Sequence, residues 1–329
     1  MKRRLISILA AASVLGLAGC GSGSPSSTGG ESAPATGGGG DAGMTKVSVG
    51  VIPIVDCAPI YLGDKQGFFK EEGLELDIQT ATGGAAIVPG VVSGSFDFAF
   101  SNLISVMVAK DKGLDLKFVA NGASTTGEEG KDIGGVVVPA GSDIQSAKDL
   151  AGKTVSVNNL SNIGDTTIKS VIEKDGGDPS GVKFVEVAFP DAPAALTNKQ
   201  VDAAWILEPF LSKAVDEGGT VVSSNFVEMS PELDIAGYFT KGDTISGKAD
   251  LTGKFTRAMN KSLEYAQEHP DEVREIVGTY TKIDEPTRAK MILPRYRVEF
   301  NEDAFKTLGD AAAKYGTLTK APSADDLLP

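Results

Sequence analysis

From Lys46 onward the chain alternates short apolar runs with segments whose apolar residues recur every three or four positions, the pattern of strands separated by helices. In the first half KVSVGVI, LELDIQTA, FDFAFSN and LDLKFVANG read as strands. APIYLGDKQGFFKEEG, GGAAIVPGVVSG and LISVMVAKDKG read as helices between them, the first closed by Gly73. After GGVVVPAGSDIQSAKDLAG the same order begins again. KTVSVNN, GVKFVEVAF, VDAAWIL and TVVSSNF are strands, and NIGDTTIKSVIEKDGG, DAPAALTNKQ and EPFLSKAVDEGG are helices. Such β-α runs predict open, mostly parallel sheets covered by helices.

The two runs share a register as well as a rhythm. VVSGSFDFAF (91–100) and LTNKQVDAAW (196–205) align as helix end, turn, apolar residue, aspartate and strand, matching Asp97 with Asp202 and Phe100 with Trp205. This favours two similar α/β lobes over one long sheet. The last third is helical in period, punctuated by Pro270, Pro286 and Pro294, and is expected to return and cover the first lobe.

Composition narrows the function classes. There are 44 acidic and 31 basic residues, a net charge of -13, and no basic stripe, so the phosphate backbone of a nucleic acid is excluded as a partner. At the N-terminus MKRR precedes LISILAAASVLGLAG, an apolar run too short and too rich in small residues for a comfortable membrane span, which reads as an export signal. It ends in LAGC, which resembles the lipobox of bacterial lipoproteins. The resemblance implies a signal peptide over 1–20, acylation of Cys20, and anchoring to the outer face of the cytoplasmic membrane. The Gly/Ser/Pro-rich residues 21–45 then read as a flexible tether. With Cys20 lipidated, Cys57, the other of the two cysteines, has no intramolecular partner.

In open α/β sheets ligands sit beyond the carboxyl ends of the strands, where helix N-termini present free N–H groups. That rule names Asp56, Cys57 and Ala58 after the first strand, Gly83 and Gly84 after the second, Ser101 and Asn102 after the third, and Asn121 after the fourth. In the second run it names Asn159, Ser161 and Asn162, then Phe189 and Asp191, then Trp205 and Glu208. Each has a plainer reading. The glycine pair could simply supply permissive φ at a helix start, and TGGAA lacks the ending of a phosphate loop. The Asn/Ser cluster could be helix caps, Trp205 could be core, and Asp56 and Glu208 could serve a turn and a helix entry.

Catalysis and metal binding find little support. The single histidine, His269, lies in QEHPDE, far in pattern from Cys57 and from every strand end, so no Cys-His or Ser-His pair forms. No His/Cys cluster marks a metal, and no cofactor motif occurs in the folded part.

The pieces GFFKEEGLELDI, GGAAIVPGVVSGSFDFAF, ALTNKQVDAAWILEPF and NKSLEYAQEHPDEV together resemble the solute-binding proteins of ABC importers in the sulfonate- and thiamine-pyrimidine-binding group (SsuA-like, NMT1-like), over residues 46 to about 300. The resemblance implies the type II periplasmic-binding-protein fold, two α/β lobes joined by two crossover segments, with a ligand cleft that closes on binding. Lobe 1 would span 46–137 and 236–329 and lobe 2 138–235, with crossovers near Val136 to Ala140 and Ile235 to Tyr238. The implied partners are a small-molecule solute and a membrane permease with its cytoplasmic ATPase, with the binding protein a monomer and not an enzyme. With Asp56, Trp205 and Glu208 as candidate lining and no Lys or Arg at a strand's carboxyl end, a neutral or amine-bearing, planar solute such as a pyrimidine precursor is favoured. The alternatives are an alkanesulfonate, taurine-type or aromatic-acid ligand in the same fold and, more remotely, a pyrimidine-synthase-like enzyme.

Overall fold

The computed structural model describes residues 43–329. The expected signal peptide, Cys20 and all but the last three residues of the expected tether lie outside the described residues. Gly43 and Met44 are exposed, and Thr45 opens the first strand. The strands are β1 (Thr45–Val51), β2 (Leu74–Thr80), β3 (Phe98–Asn102), β4 (Leu116–Ser124), β5 (Gly134–Val138), β6 (Thr154–Val157), β7 (Lys183–Glu186), β8 (Ala203–Leu207), β9 (Thr220–Ser223) and β10 (Asp234–Lys241). They form two five-stranded sheets, ordered β2-β1-β3-β10-β4 and β7-β6-β8-β5-β9.

Both sheets are built on one plan. β1 pairs in parallel with β2 and β3, as β6 does with β7 and β8. The aspartates matched in the sequence do the same work at the same place. Asp97 Oδ2 accepts a hydrogen bond from the Ser48 N–H at 3.0 Å, and Asp202 Oδ2 one from the Thr154 N–H at 2.7 Å, so each ties the start of its strand to the neighbour. Three residues on, Phe100 and Trp205 therefore occupy corresponding positions near the carboxyl ends of β3 and β8.

The sheets are less uniformly parallel than the β-α rhythm suggested. β10 runs antiparallel to β3 and β4, and β5 antiparallel to β8 and β9. Each antiparallel strand is the first one the chain forms after crossing from the other lobe, and it enters the sheet from the cleft side. The crossovers accordingly lie earlier than expected, in residues 125–133 and 230–233; Val136 to Val138 and Ile235 to Tyr238 are already inside β5 and β10. The two segments bond to each other, the Thr125 N–H donating to the Leu233 carbonyl at 2.9 Å. Asp132, buried in the first of them, accepts from the Thr125 hydroxyl and the Thr126, Ile133 and Val227 N–H groups, and so ties the first crossover to the helix Asn225–Met229 that precedes the second.

The C-terminal helices straddle the lobes rather than covering only the first. Ala249–Glu268 lies on the first lobe, where Phe255 stacks on Phe98 with centroids 4.0 Å apart and Gly63 makes room for Ser262. The later segments reach the second lobe: Lys290 pairs with Asp216 at 2.7 Å, Lys314 with Glu173 at 2.5 Å, and the Thr166 and Thr317 hydroxyls bond to each other at 3.2 Å. No described helix is long and apolar enough to cross a membrane.

Candidate functional site

The chain leaving β1 makes a short 3-10 turn, Val55–Cys57, before the helix Ala58–Gln66, with Pro59 in the helix's first turn where a missing N–H costs nothing. This turn is held from three sides. The Tyr280 hydroxyl donates to the Ile54 carbonyl at 3.0 Å and the Tyr296 hydroxyl to the Val55 carbonyl at 2.9 Å. From the opposite lobe the Glu208 carbonyl accepts the Val55 N–H at 3.1 Å. The result fixes Asp56 with its side chain facing a small closed cavity between the lobes.

That cavity has a volume of about 20 Å³, room for about one water molecule. Asp56, Phe100 and Asn102 line it from the first lobe, and Asn158, Phe189 and Trp205 from the second, with Phe226, Ile235 and other apolar residues completing the wall. A larger void of about 770 Å³ exists between Met107 and Asp326, but it is an open groove whose lining includes Lys110, Asp111, Lys306 and Asp310. The interlobe cavity joins a largely apolar wall to a buried carboxyl group without a partner.

Asp56 is 1% exposed, and neither carboxylate oxygen has a hydrogen-bonding partner in the protein. Burial, opposed in part by its own backbone N–H and reinforced by the charge of Asp132, pushes its pKa up to about 7. Across the cavity the Trp205 indole N–H is likewise buried and unpartnered. Its ring is locked edge-on between Phe189 and Phe226, with centroid distances of 5.3 and 5.6 Å. A buried acceptor pair and a buried donor thus belong to residues of one lining, and no Lys, Arg or His lines the cavity.

The lobes meet around this cavity through residues named from the sequence. Gly83 and Gly84 are not in the left-handed region; what they provide is space. A Cβ on Gly83 would come within 2.3 Å of Asn159 Oδ1, in the other lobe, and one on Gly84 within 1.9 Å of Ser101 Oγ, in its own. The reading of this pair as a need for permissive φ is therefore replaced by close approach. Asn102 and Asn162 cap the helices that start at Leu103 and Ile163, and the Asn162 amide also contacts the Ser105 hydroxyl at 3.1 to 3.2 Å across the cleft.

Other candidates fall elsewhere. Glu208 is buried, but its carboxylate is consumed by the Ser212 N–H and hydroxyl and by the Ile292 N–H, so it closes the entry of the helix Phe210–Asp216 and anchors the C-terminal arm. Asn121 is spent on Gly122, the Glu299 carbonyl and Asp234. Ser161 and Asp191 are exposed, Ser161 in the left-handed region where Asp165 accepts its N–H. Cys57 and Ala58 are fully buried beside Asp56 but do not line the cavity, and burial raises the thiol pKa far from reactive range. His269 stacks on Tyr265 near a helix junction, away from the cleft. Phe226 was missed because TVVSSNF reads as one strand, whereas the chain turns into a helix at Asn225, and Ile235 because it was expected in a crossover, whereas it lies in β10.

With this geometry, comparison with known proteins is informative. The model of the family described as NMT1/THI5 like matches residues 54–273, two thirds of the chain and most of both lobes. The chain belongs to the NMT1/THI5-like family. The formylaminopyrimidine-binding protein of Halalkalibacterium halodurans is 25% identical over 225 residues, covering 67% of this chain and 65% of that protein, a little under two thirds of its length. Among solved structures, the alkanesulfonate-binding protein SsuA of Xanthomonas axonopodis pv. citri, bound to MOPS, has a TM-score of 0.72 at 14% identity, covering 86% of this chain and 98% of its own. A Candida albicans protein described as having the generic periplasmic binding protein fold has a TM-score of 0.67 at 17% identity, covering 87% and 96%. The fold of this NMT1/THI5-like chain is therefore that of the periplasmic binding proteins.

Proposed function

We propose that this NMT1/THI5-like protein is the extracytoplasmic solute-binding lipoprotein of an ABC importer. It captures one small organic solute by closure of the two lobes and delivers it to a membrane permease driven by a cytoplasmic ATPase. Export and anchoring rest on the signal-like N-terminus and the lipobox-like LAGC ending in Cys20. The solute is amine-bearing and planar, of the pyrimidine-precursor type, the class named in the Halalkalibacterium relative. A molecule of that size fits only when the lobes part and close again around it, because the cavity is now about 20 Å³.

The observation that carries this reading is the buried, unpartnered Asp56 carboxyl group in the lining of the interlobe cavity, which it shares with Trp205, whose buried N–H is also without a partner. A sulfonate would place its charge near Asp56. Two like charges about 4 Å apart repel by roughly 4 kcal/mol at an effective dielectric of 20. Protonating Asp56 would remove the repulsion, but no cationic side chain lines the cavity to balance the sulfonate's own charge. Turnover has no obvious agent, because the one histidine is outside the cleft.

A thermal-shift screen of aminopyrimidines, other amines, aliphatic sulfonates and aromatic acids tests this. Stabilisation by aminated heterocycles, recovered unchanged, is expected. A response confined to sulfonates would overturn the solute class, a chemically altered product would overturn the non-enzymatic role, and no response from any class would overturn solute capture.

A further inference from the structure

The geometry points to capture with one shared proton: the solute, a planar nitrogen heterocycle carrying an amino group beside a ring nitrogen, pairs edge to edge with the Asp56 carboxyl group, and the complex holds one proton between them. This rests on the solute-binding role proposed above and adds the protonation state in which the solute is held.

The argument starts from the hydrogen-bonding inventory of the closed cleft. Asp56 presents two oxygens, both buried and both without a partner in the protein. An ionised carboxylate can only accept, whereas the protonated acid both accepts and donates. An amino group next to a ring nitrogen is the complement of either form. The amino N–H donates to one oxygen, and the proton on the line between ring nitrogen and the other oxygen belongs to whichever is more basic. A neutral base with the acid and a protonated base with the carboxylate are thus the same set of atoms. Both satisfy the buried oxygens without leaving a net charge in the apolar cavity, where an uncompensated charge is costly. The Trp205 N–H remains as a donor to an acceptor on the opposite edge of the ring.

The groups around Asp56 do not offer a competing source of that proton. Asp132 faces it from the first crossover, and its carboxylate is already occupied by four donors. Cys57 follows it in the same turn, and Tyr238 from β10 and Tyr296 from the C-terminal arm approach from the other sides. Burial raises all three well above neutrality, so they stay protonated and uncharged throughout the accessible range. No cationic side chain lines the cavity. Asp56 itself changes protonation near neutrality.

The consequence is a bell-shaped affinity. Above about pH 7 both partners are free of the proton, one must be taken up from solvent, and affinity falls about tenfold per pH unit. Below the pKa of the free base both partners carry a proton, one must be released, and affinity falls again.

Isothermal titration of 4-aminopyrimidine into the protein between pH 5 and 9, at pH 8 in phosphate and in Tris to read proton uptake from the difference in buffer heat, tests the proposal. About one proton taken up per complex at pH 8 is expected, with the bell-shaped profile. Asp56→Asn, whose amide keeps the two-point pairing but cannot titrate, should bind with no uptake and no loss of affinity from pH 7 to 9. Wild-type binding with no proton uptake at pH 8 would overturn the shared proton, and the wild-type result decides this even if the variant misfolds. Binding of ethanesulfonate with none of 4-aminopyrimidine would also overturn it while leaving solute capture standing.

Discussion

Replacing Gly83 by Ala should weaken solute binding without weakening the fold. A Cβ at this position would lie 2.3 Å from Asn159 Oδ1 and 3.0 Å from Asn158 Nδ2. Ordinary contacts begin near 3.5 Å, so the worst overlap is about 1 Å. Overpacking of this kind costs about 1–3 kcal/mol when the structure cannot yield. Both clashing residues belong to the other lobe, at the carboxyl end of β6, so parting the lobes relieves the strain completely. The cost therefore falls on the closed form alone, and affinity for a solute identified by the screen should drop by about 5- to 150-fold. Gly84→Ala is the matched control. Its Cβ would meet Ser101 Oγ at 1.9 Å and Ser105 Oγ at 3.0 Å, both in the first lobe, and opening the cleft relieves nothing. Titration calorimetry for affinity and urea unfolding of the ligand-free protein separate the two: Gly83→Ala should shift affinity alone, and Gly84→Ala should lower the urea midpoint. If Gly83→Ala lowers the midpoint as much as Gly84→Ala and leaves affinity unchanged, the glycine is not a closure contact and the reasoning fails.

Asp56 carries a prediction about stability as well as binding. Burial raises its pKa from 3.8 to about 7, so between about pH 4 and 7 the folded protein holds a proton that the unfolded chain has lost. Unfolding of the closed form then releases a proton, and stability falls as pH rises through that window and levels off above it, by at most about 4 kcal/mol because parting the lobes hydrates Asp56. Asp56→Asn should therefore match the wild type near pH 4 and exceed it at pH 8 in urea unfolding of the ligand-free protein; a difference independent of pH would rule this out. Tyr296→Phe removes the donor to the buried Val55 carbonyl. A loss of about 1–3 kcal/mol in the same assay is expected, with weaker solute binding because the turn carrying Asp56 loosens. An unchanged midpoint and affinity would show that Tyr296 does not position that turn.

The amino-acid sequence by itself determined the local order of strands and helices, because apolar periodicity is a property of neighbouring residues. It also determined the repeat that sets Asp97 against Asp202 and Phe100 against Trp205, and it put Asp56 at the carboxyl end of the first strand. What it left open was which strand-end residues face one another. Asp56 and Glu208 have the same pattern of a buried acid before a helix start. Folding gives Glu208 the Ser212 N–H and hydroxyl of the helix it precedes and the Ile292 N–H of the C-terminal arm, and gives Asp56 no side-chain donor, which makes one a structural anchor and the other an unsatisfied group in the cleft. The crossovers were misplaced for a related reason: β5 and β10 have the composition of any buried strand, and their pairing in the sheet they enter depends on partners as far away as Ala99 is from Phe239. The glycine pair reads as a ligand contact or as permissive φ at a helix start until Asn159 arrives from the second lobe. Facing, pairing and close approach are set by non-local contacts, so they were decided only when the two lobes and the arm that straddles them were packed together.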